Sequence, residues 1–237
     1  MSGLNRALVL TPMSSELRPV VKYTHAHRTK VGDLTVYEGR AGGIEVVVAQ
    51  LGVGPASSRR TTERALAHLE VDHVLVSGIA GGLHPDLSIG SVVIPETVMD
   101  LGSGKRYVSS AMEGVQRSGL IATADHLIMD EQRLAELQGL GVLAMEMESS
   151  GVAVACEAAG VPWTTFRVIG DRPDEGLTDD AIMSLLRPDG TSDISAALRL
   201  MALHPGRIRA MLRLARDSSM AASKAARTAL SALGWAA

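Results

Sequence analysis

"HVLVSGIAGGL", residues 73–83, decides the fold. Its first half is an apolar run, the pattern of a buried strand, and it runs directly into Gly78, Gly81 and Gly82. Three glycines in five positions allow positive φ, and they let a ligand come within hydrogen-bond reach of peptide N–H groups. Two uses are open: a tight turn from strand to loop, or a cradle for a phosphate or for a ribose and base. The spacing fits neither G-x-G-x-x-G nor the P-loop pattern.

Working outward, strand-like and helix-like runs alternate. "RALVLTP" (6–12) has the pattern of a buried first strand, and "MSSELRPVV" (13–21) that of a brief helix or loop. "LTVYEGRAGGIEVVVAQLGVG" (34–54) predicts two strands around a Gly-Gly turn, and "PASSRRTTERALAHL" (55–69) a helix entered through Gly-Pro. "GSVVIPETVMD" (90–100) predicts a further strand, and 101–141 is weakly patterned. "GVLAMEM" (141–147) is strand-like, "SSGVAVACEAAG" (149–160) helix-like, "PWTTFRVIGD" (162–171) strand-like, and the pattern from 178 onward is helical. Such alternation is the signature of an α/β fold with a largely parallel sheet. Ligands collect at the carboxyl ends of the strands in these sheets. Glu16, the glycines 78–82, Glu146 with Glu148, and Asp171 all come at or just after a strand-like run, which gathers them at one edge.

The chain's 237 residues suit one α/β domain, and 46% apolar residues supply a sizeable core. With six aromatic side chains, that core has to be built from Val, Ile, Leu, Ala and Met. The single cysteine, Cys156, excludes an intrachain disulfide, suits a reducing compartment, and reads as a small core residue. No run has the length and flanks of a signal peptide or spans a bilayer, so a cytoplasmic protein is expected. The seven histidines show no metal-ligand spacing, and neither a metal nor a cofactor is expected. Residues 199–227 carry seven cations against one acid, Asp217, although the whole chain is at −3. Localised charge and scarce aromatics argue against nucleic acid.

Glu146 and Glu148 flank Met147. In an extended segment the two acids share a face; if the helix already begins at Met147 they diverge. A carboxylate accepts two hydrogen bonds from a vicinal diol, so a sugar is a natural guest, with methionine as apolar surface against the ring. The plainer use is a pair of solvated acids favoured by a helix dipole. Asp171 ends its run as a ligand-facing acid or a helix cap, with Arg167 four residues earlier on the same strand face.

Together these pieces resemble the nucleoside phosphorylase/nucleosidase superfamily, and within it the methylthioadenosine/S-adenosylhomocysteine nucleosidases and the hopanoid-associated nucleosidases. The likeness spans about residues 6–175. "SGIAGGLHPDLSIGSVVIP" is similar to the family's T-G-x-A-G-G-L…G-D-x-V segment, and "MEMESSGVAVACEAAGVPWTTFRVIGD" to its E-M-E-(small)…P-(apolar)-R-x-I-S-D segment. The resemblance implies a single three-layer α/β/α domain on a mixed, largely parallel sheet, here residues 1–190, with a helical extension, 191–237, packed on it. It implies that Glu16, in "PMSSEL", activates water, that Asp171 is the general acid at the purine, and that Arg167 orients Glu16 and the water. Glu148 would hold the ribose hydroxyls and Met147 pack on the sugar, with Glu146 as support. Ile79, Ala80 and Gly81 would line the nucleoside, and Leu127 and Ile128, in "ATADHLI", the base.

The sequence departs from the family in three places: Gly170 where Ser is usual, Leu127 where an aromatic ring stacks, and Ile79 where methylthioadenosine enzymes carry Ser. The glycine segment lacks the arginines of the phosphorylases, which favours hydrolysis over phosphorolysis. The expected activity is release of adenine from a 5′-substituted adenosine. The ending resembles the hopanoid-associated branch, which implies adenosylhopane, a lipid-linked nucleoside. The alternatives are a methylthioadenosine/S-adenosylhomocysteine nucleosidase, a purine nucleoside phosphorylase, and a nucleoside-binding protein without turnover. Ile208, Met211, Leu212 and Ala215 recur at helical spacing among Arg207, Arg209, Arg213 and Arg216. They predict either a surface helix on the domain or a basic amphipathic helix touching anionic lipid. The superfamily implies a homodimer.

Overall fold

Strand β1 (Arg6–Thr11) lies between β4 (Ile44–Gln50) and β5 (His73–Gly82) and runs parallel to both. The computed structural model describes residues 3–172 and 208–236. On the outer side of β4, β3 (Leu34–Ala41) and β2 (His27–Val31) add an antiparallel edge. The Gly42–Gly43 turn between β3 and β4 has φ of 55° and 88°, as the pair predicts. The sequence pattern does not mark β2, because it is a polar edge strand, HRTKV, whose charges blunt further pairing.

Beyond β5 follow β10 (Val142–Glu146), β9 (Leu120–Thr123), β7 (Thr97–Asp100) and β8 (Arg106–Val108). β11 (Trp163–Asp171) pairs with β5 in parallel and carries β6 (Val92–Val93) on its far side. The sheet is mixed: β4–β1–β5–β11 and β10–β9–β7 are parallel sets, joined by a short antiparallel contact between β5 and β10, with further antiparallel pairs at the edges. Residues 90–100, expected as one strand, divide into β6 and β7 on either side of Pro95, which cannot donate to a ladder. The weakly patterned stretch holds β8, β9 and helix α3 (Glu131–Gly139), elements too short to display a period. Asp130 caps α3 by accepting the Arg133 N–H at 2.7 Å.

Helices cover both faces. Ala7, Val9, Val46, Val48, Leu75 and Phe166 point to one side, where α1 (Ser14–Tyr23) and α5 (Ile208–Ser231) bring Leu17, Val20, Ala226 and Leu230. Leu8, Leu10, Val47, Val74, Val76 and Trp163 point to the other, where α2 (Pro55–Leu66) and α4 (Ser149–Ala159) bring Ala65, Val152 and Cys156. Neighbouring residues face opposite layers and both layers are dry, so the central strands are apolar throughout. Cys156 is fully buried, and burial pushes its thiol up to about 12, which makes it an inert core group. α1 continues through Pro19 at the loss of one helical hydrogen bond.

The glycines of β5 depart from expectation. The strand continues through Gly78, Gly81 and Gly82, and none of the three has positive φ. There is no turn; what they provide is space.

α5 packs on α1 and the sheet through Ala221, Ala225, Ala226 and Ala229, whose small side chains let the helix sit close. The expected boundary at 190/191 lies outside the described residues, as do the side chains of Ile208, Met211 and Leu212. Ala215, Arg213 and Arg216 are exposed. Among the described residues, no helix is long and apolar enough to cross a membrane.

Candidate active site

The site forms where β5 changes partners. β1 pairs with β5 as far as Val76, and β10 joins the same edge at Gly81, because β11 occupies the other edge throughout. The peptide groups of Ile79 face the interval between them. The Ile79 N–H donates to Glu16 Oε1 at 2.8 Å, and its carbonyl accepts from Arg167 Nη1 at 3.3 Å. Glu16 is delivered by the first turn of α1, directly after β1. Its Oε2 accepts the Met13 N–H at 2.8 Å, the reach-back of a helix-capping glutamate. It is 2% exposed.

Arg167 lies opposite Gly78 in the β5–β11 register. A Cβ on Gly78 would overlap Arg167 Nη1 and lie 2.6 Å from Glu16 Oε1, so the guanidinium can cross the strand only over a glycine. Fully buried, Arg167 pairs through Nη2 with Glu146 and, at 3.3 Å each, with Glu148 Oε2 and Ser149 Oγ. Its contact with Glu16 passes through the Ile79 peptide.

Glu146 ends β10, and α4 begins at Ser149 with Glu148 as its N-cap. The helix therefore starts late enough for both glutamates to turn to one guanidinium. Glu146 is saturated: Oε1 accepts from Thr123 Oγ1 and from Ser149 N at 3.1 Å. Oε2 accepts from Glu148 N (3.0 Å), Ser149 N (2.8 Å), Ser149 Oγ (2.8 Å) and Arg167. Glu148 keeps spare acceptor capacity, since Oε1 meets only the Gly54 N–H at 3.3 Å among its hydrogen bonds to described residues. Gly54 starts α2, whose Ser58 hydroxyl also donates to the Glu148 carbonyl at 2.9 Å.

Three buried carboxyl groups surround one buried cation. Burial pushes Glu16 up to about 7, against the pull of Arg167 and of the Ile79 and Met13 N–H groups. Burial pushes Glu148 up to about 8, opposed by Arg167 and reinforced by Glu146 and Glu16. For Arg167, burial works against the charge, but the three carboxylates outweigh it and hold the guanidinium above its ordinary value.

Asp171 lies four residues beyond Arg167 on β11, half-buried. A bulge at Gly170 brings it opposite Gly81, with Oδ1 3.8 Å from where a Gly81 Cβ would stand. The Ile79 side chain packs away from the carboxylates, with Val168, Ala221 and Ala225, and the Ala80 side chain lies in the core. Ile79 thus offers the cleft its peptide and not its side chain. Met147 is half-buried between the glutamates. Leu127 and Ile128 line a separate hollow of about 470 Å³ with Leu101, Gly102, His126 and Arg133. Ile128 also packs in the cluster of Met145, the strand partner of Gly81. Among the described residues, no group of three or more His, Cys, Asp or Glu side chains is arranged to hold a metal ion.

Sequence reasoning did not single out Thr123, Ser149 or Gly54, nor the room that Gly78 makes. Thr123 sits inside the quoted "ATADHLI" stretch, but its partner Glu146 is 23 positions away, so no local pattern marks it.

Residues 6–113 and 105–187 match the model of the Phosphorylase superfamily. The chain belongs to this superfamily. The 5′-methylthioadenosine/S-adenosylhomocysteine nucleosidase of an Exiguobacterium species is 28% identical over 207 residues, covering 74% of this chain and 86% of that one. The enzyme of the same name from Actinobacillus succinogenes is 29% identical over 174 residues, 61% of this chain and 76% of that one. Nucleosidases hydrolyse N-glycosidic bonds. Among solved structures, the Helicobacter pylori 5′-methylthioadenosine/S-adenosylhomocysteine nucleosidase superposes with a TM-score of 0.72 at 20% identity, covering 98% of this chain and 99% of that one. The futalosine hydrolase of Helicobacter pylori does so with the same score and identity, covering 98% of each chain. Two enzymes with different names fit equally well, so the fold does not choose the substrate.

Proposed function

We propose that the chain hydrolyses the N-glycosidic bond of a purine nucleoside, releasing adenine from a 5′-substituted adenosine. The observation that carries this is a pair of buried carboxyls with acceptor capacity to spare, Glu16 and Glu148, set on either side of one guanidinium where β5 lacks a neighbour. As such a bond breaks, the sugar becomes cationic and the base anionic. Carboxylates beside the sugar favour the first change and a proton donor favours the second.

Glu16, at about 7, is matched to take a proton from an attacking water near neutral pH. Burial pushes Glu148 up to about 8, so it holds a proton more tightly than a solvated carboxyl; a protonated carboxyl donates to one hydroxyl of a diol and accepts from the other. Asp171, across Gly81, is the candidate acid toward the base, a step worth about 10²–10⁴-fold. The segment of Leu127 and Ile128 adjoins that end through Met145, and Met147 offers the sugar an apolar surface.

Arg59 and Arg60 are exposed on α2, and Arg59 is paired with Glu63, which favours water over phosphate as acceptor. A lipid as the 5′ substituent, with contact between the exposed Arg213 and Arg216 and a membrane surface, rests on the resemblance of the C-terminal segment. A homodimer rests on the superfamily.

The test is a panel of nucleosides assayed with and without phosphate, reading free base. Phosphate-independent adenine release is expected, and Asp171→Asn and Glu16→Gln should each lower it at least about 100-fold with the fold intact. If both variants stay within about threefold of wild type, the reading is wrong. For the lipid part, co-sedimentation with anionic vesicles should weaken with salt, and equal partitioning of full-length and tail-truncated protein would defeat it.

A further inference from the structure

Thr123, the last residue of β9, is 1% exposed. Its hydroxyl accepts the Ser150 N–H at 3.0 Å and donates to Glu146 Oε1. A hydroxyl has one proton, and the Ser150 N–H takes a lone pair, so that proton is committed to Glu146. Ser150 in turn donates to Asp100 Oδ2 at 2.6 Å, which ties the first turn of α4 to β7 as well as β9. Glu146 therefore has no capacity left for a ligand. It is held in place, and the guanidinium it holds is the one shared with Glu148 and bonded to the Ile79 carbonyl.

We infer that Thr123 is a positioning residue: by filling Glu146 Oε1 it sets where the Arg167 charge lies between Glu16 and Glu148. The inference builds on the nucleosidase reading of the same cleft. Without the hydroxyl, Oε1 keeps only the Ser149 N–H at 3.1 Å. The guanidinium already touches Glu146 Oε2 and leaves Oε1 to Thr123 and Ser149; an under-bonded Oε1 in a buried site draws that cation across toward itself, and here that movement changes its distance to the other two acids. The groups facing the guanidinium are Glu16 from α1, the Ile79 carbonyl from β5, Glu146 from β10, and Glu148 and Ser149 at the start of α4. Asp171 lies further along β11, and Asp100 stands behind Ser150.

The test compares Thr123→Val and Thr123→Ser with wild type in the full chain, labelled with ¹³C at the glutamate carboxyls. Thr123→Val should move the Glu16 and Glu148 titrations up by about 0.5–1 pH unit, and Thr123→Ser should leave them in place. In base release, Thr123→Val should lower kcat about 10-fold with KM within about threefold, and shift the acid limb of the pH profile upward with Glu16. Wild-type titrations in a folded Thr123→Val overturn the inference whatever the rate. Shifted titrations in a chain whose wild type releases no base uphold the positioning role and discard the nucleosidase reading. If the valine variant does not fold, Thr123→Ala carries the same titration.

Discussion

Arg167 and Glu16 both reach the space over Gly78, a residue with no side chain, and each bonds the Ile79 peptide beside it. A methyl group there would overlap Arg167 Nη1 and stand 2.6 Å from Glu16 Oε1. Both atoms are ends of side chains, so Gly78→Ala should fold, with the guanidinium and the carboxylate pushed apart. The expected cost is about 1–3 kcal/mol of stability, typical of one group too many in a packed interior. Base release should fall at least about 100-fold. Denaturant unfolding beside a base-release assay checks both. Wild-type turnover would mean that the two groups need not share the space over Gly78.

Arg167→Met removes the cation and leaves three acids in a dry cleft. Breaking a buried pair from one side costs about 3–5 kcal/mol. The loss should be largest above pH 8, where Glu16 and Glu148 would have to be charged, and smaller near pH 6, where both hold protons. Urea unfolding at the two pH values measures it. Equal losses would show that the pairs seen at Arg167 do not govern the charge of these acids.

The same acids set the pH dependence of the wild-type fold. Their unfolded values are near 4.5, and the folded values are about 7 and about 8. Between those limits the folded chain binds more protons than the unfolded one, so stability falls as pH rises. His73 acts in the opposite sense, because burial lowers it from 6.5 to about 4, so its contribution grows between those values. The window free of this offset lies above 6.5. Tm should decline from pH 6.5 to 8, and Glu148→Gln should flatten the upper part of the decline while impairing turnover. A Tm that rises across this window would contradict the raised values of Glu16 and Glu148.

Much of the fold was legible because both faces of the central strands are dry. β1, β4, β5, β10 and β11 announce themselves as apolar runs, and the Gly-Gly turn fixes one hairpin. β2 and β9 were not legible, the first being polar and the second four residues long. The four candidate acids Glu16, Glu146, Glu148 and Asp171 could be named from their place after strands. Their different stations could not. Glu146 is saturated and Glu148 is not because of Thr123, Ser149 and Gly54, which come from three separate elements. Gly78 looked like a turn residue because spacing alone cannot distinguish freedom of φ from freedom of space.

Gly151 offers a second test of space against conformation, on the opposite wall of the cleft. On an open helix, Gly→Ala stabilises by roughly 0.5–1 kcal/mol. In α4, however, a Cβ at Gly151 would overlap the Pro55 carbonyl oxygen and Ser58 Oγ and lie 2.9 Å from the Pro55 carbonyl carbon. Backbone atoms cannot swing aside, so α2 must shift as a unit. Its first turn carries the Ser58 hydroxyl that holds the Glu148 carbonyl, and Gly54, whose N–H meets the Glu148 carboxyl. Gly151→Ala should therefore destabilise by about 1–3 kcal/mol and raise KM more than it lowers kcat, since Glu148 loses its support while Glu16 and Asp171 keep theirs. The sign of the stability change decides the matter: a gain would show that α2 and α4 are not in contact at this residue, and that Glu148 is held by something other than the start of α2.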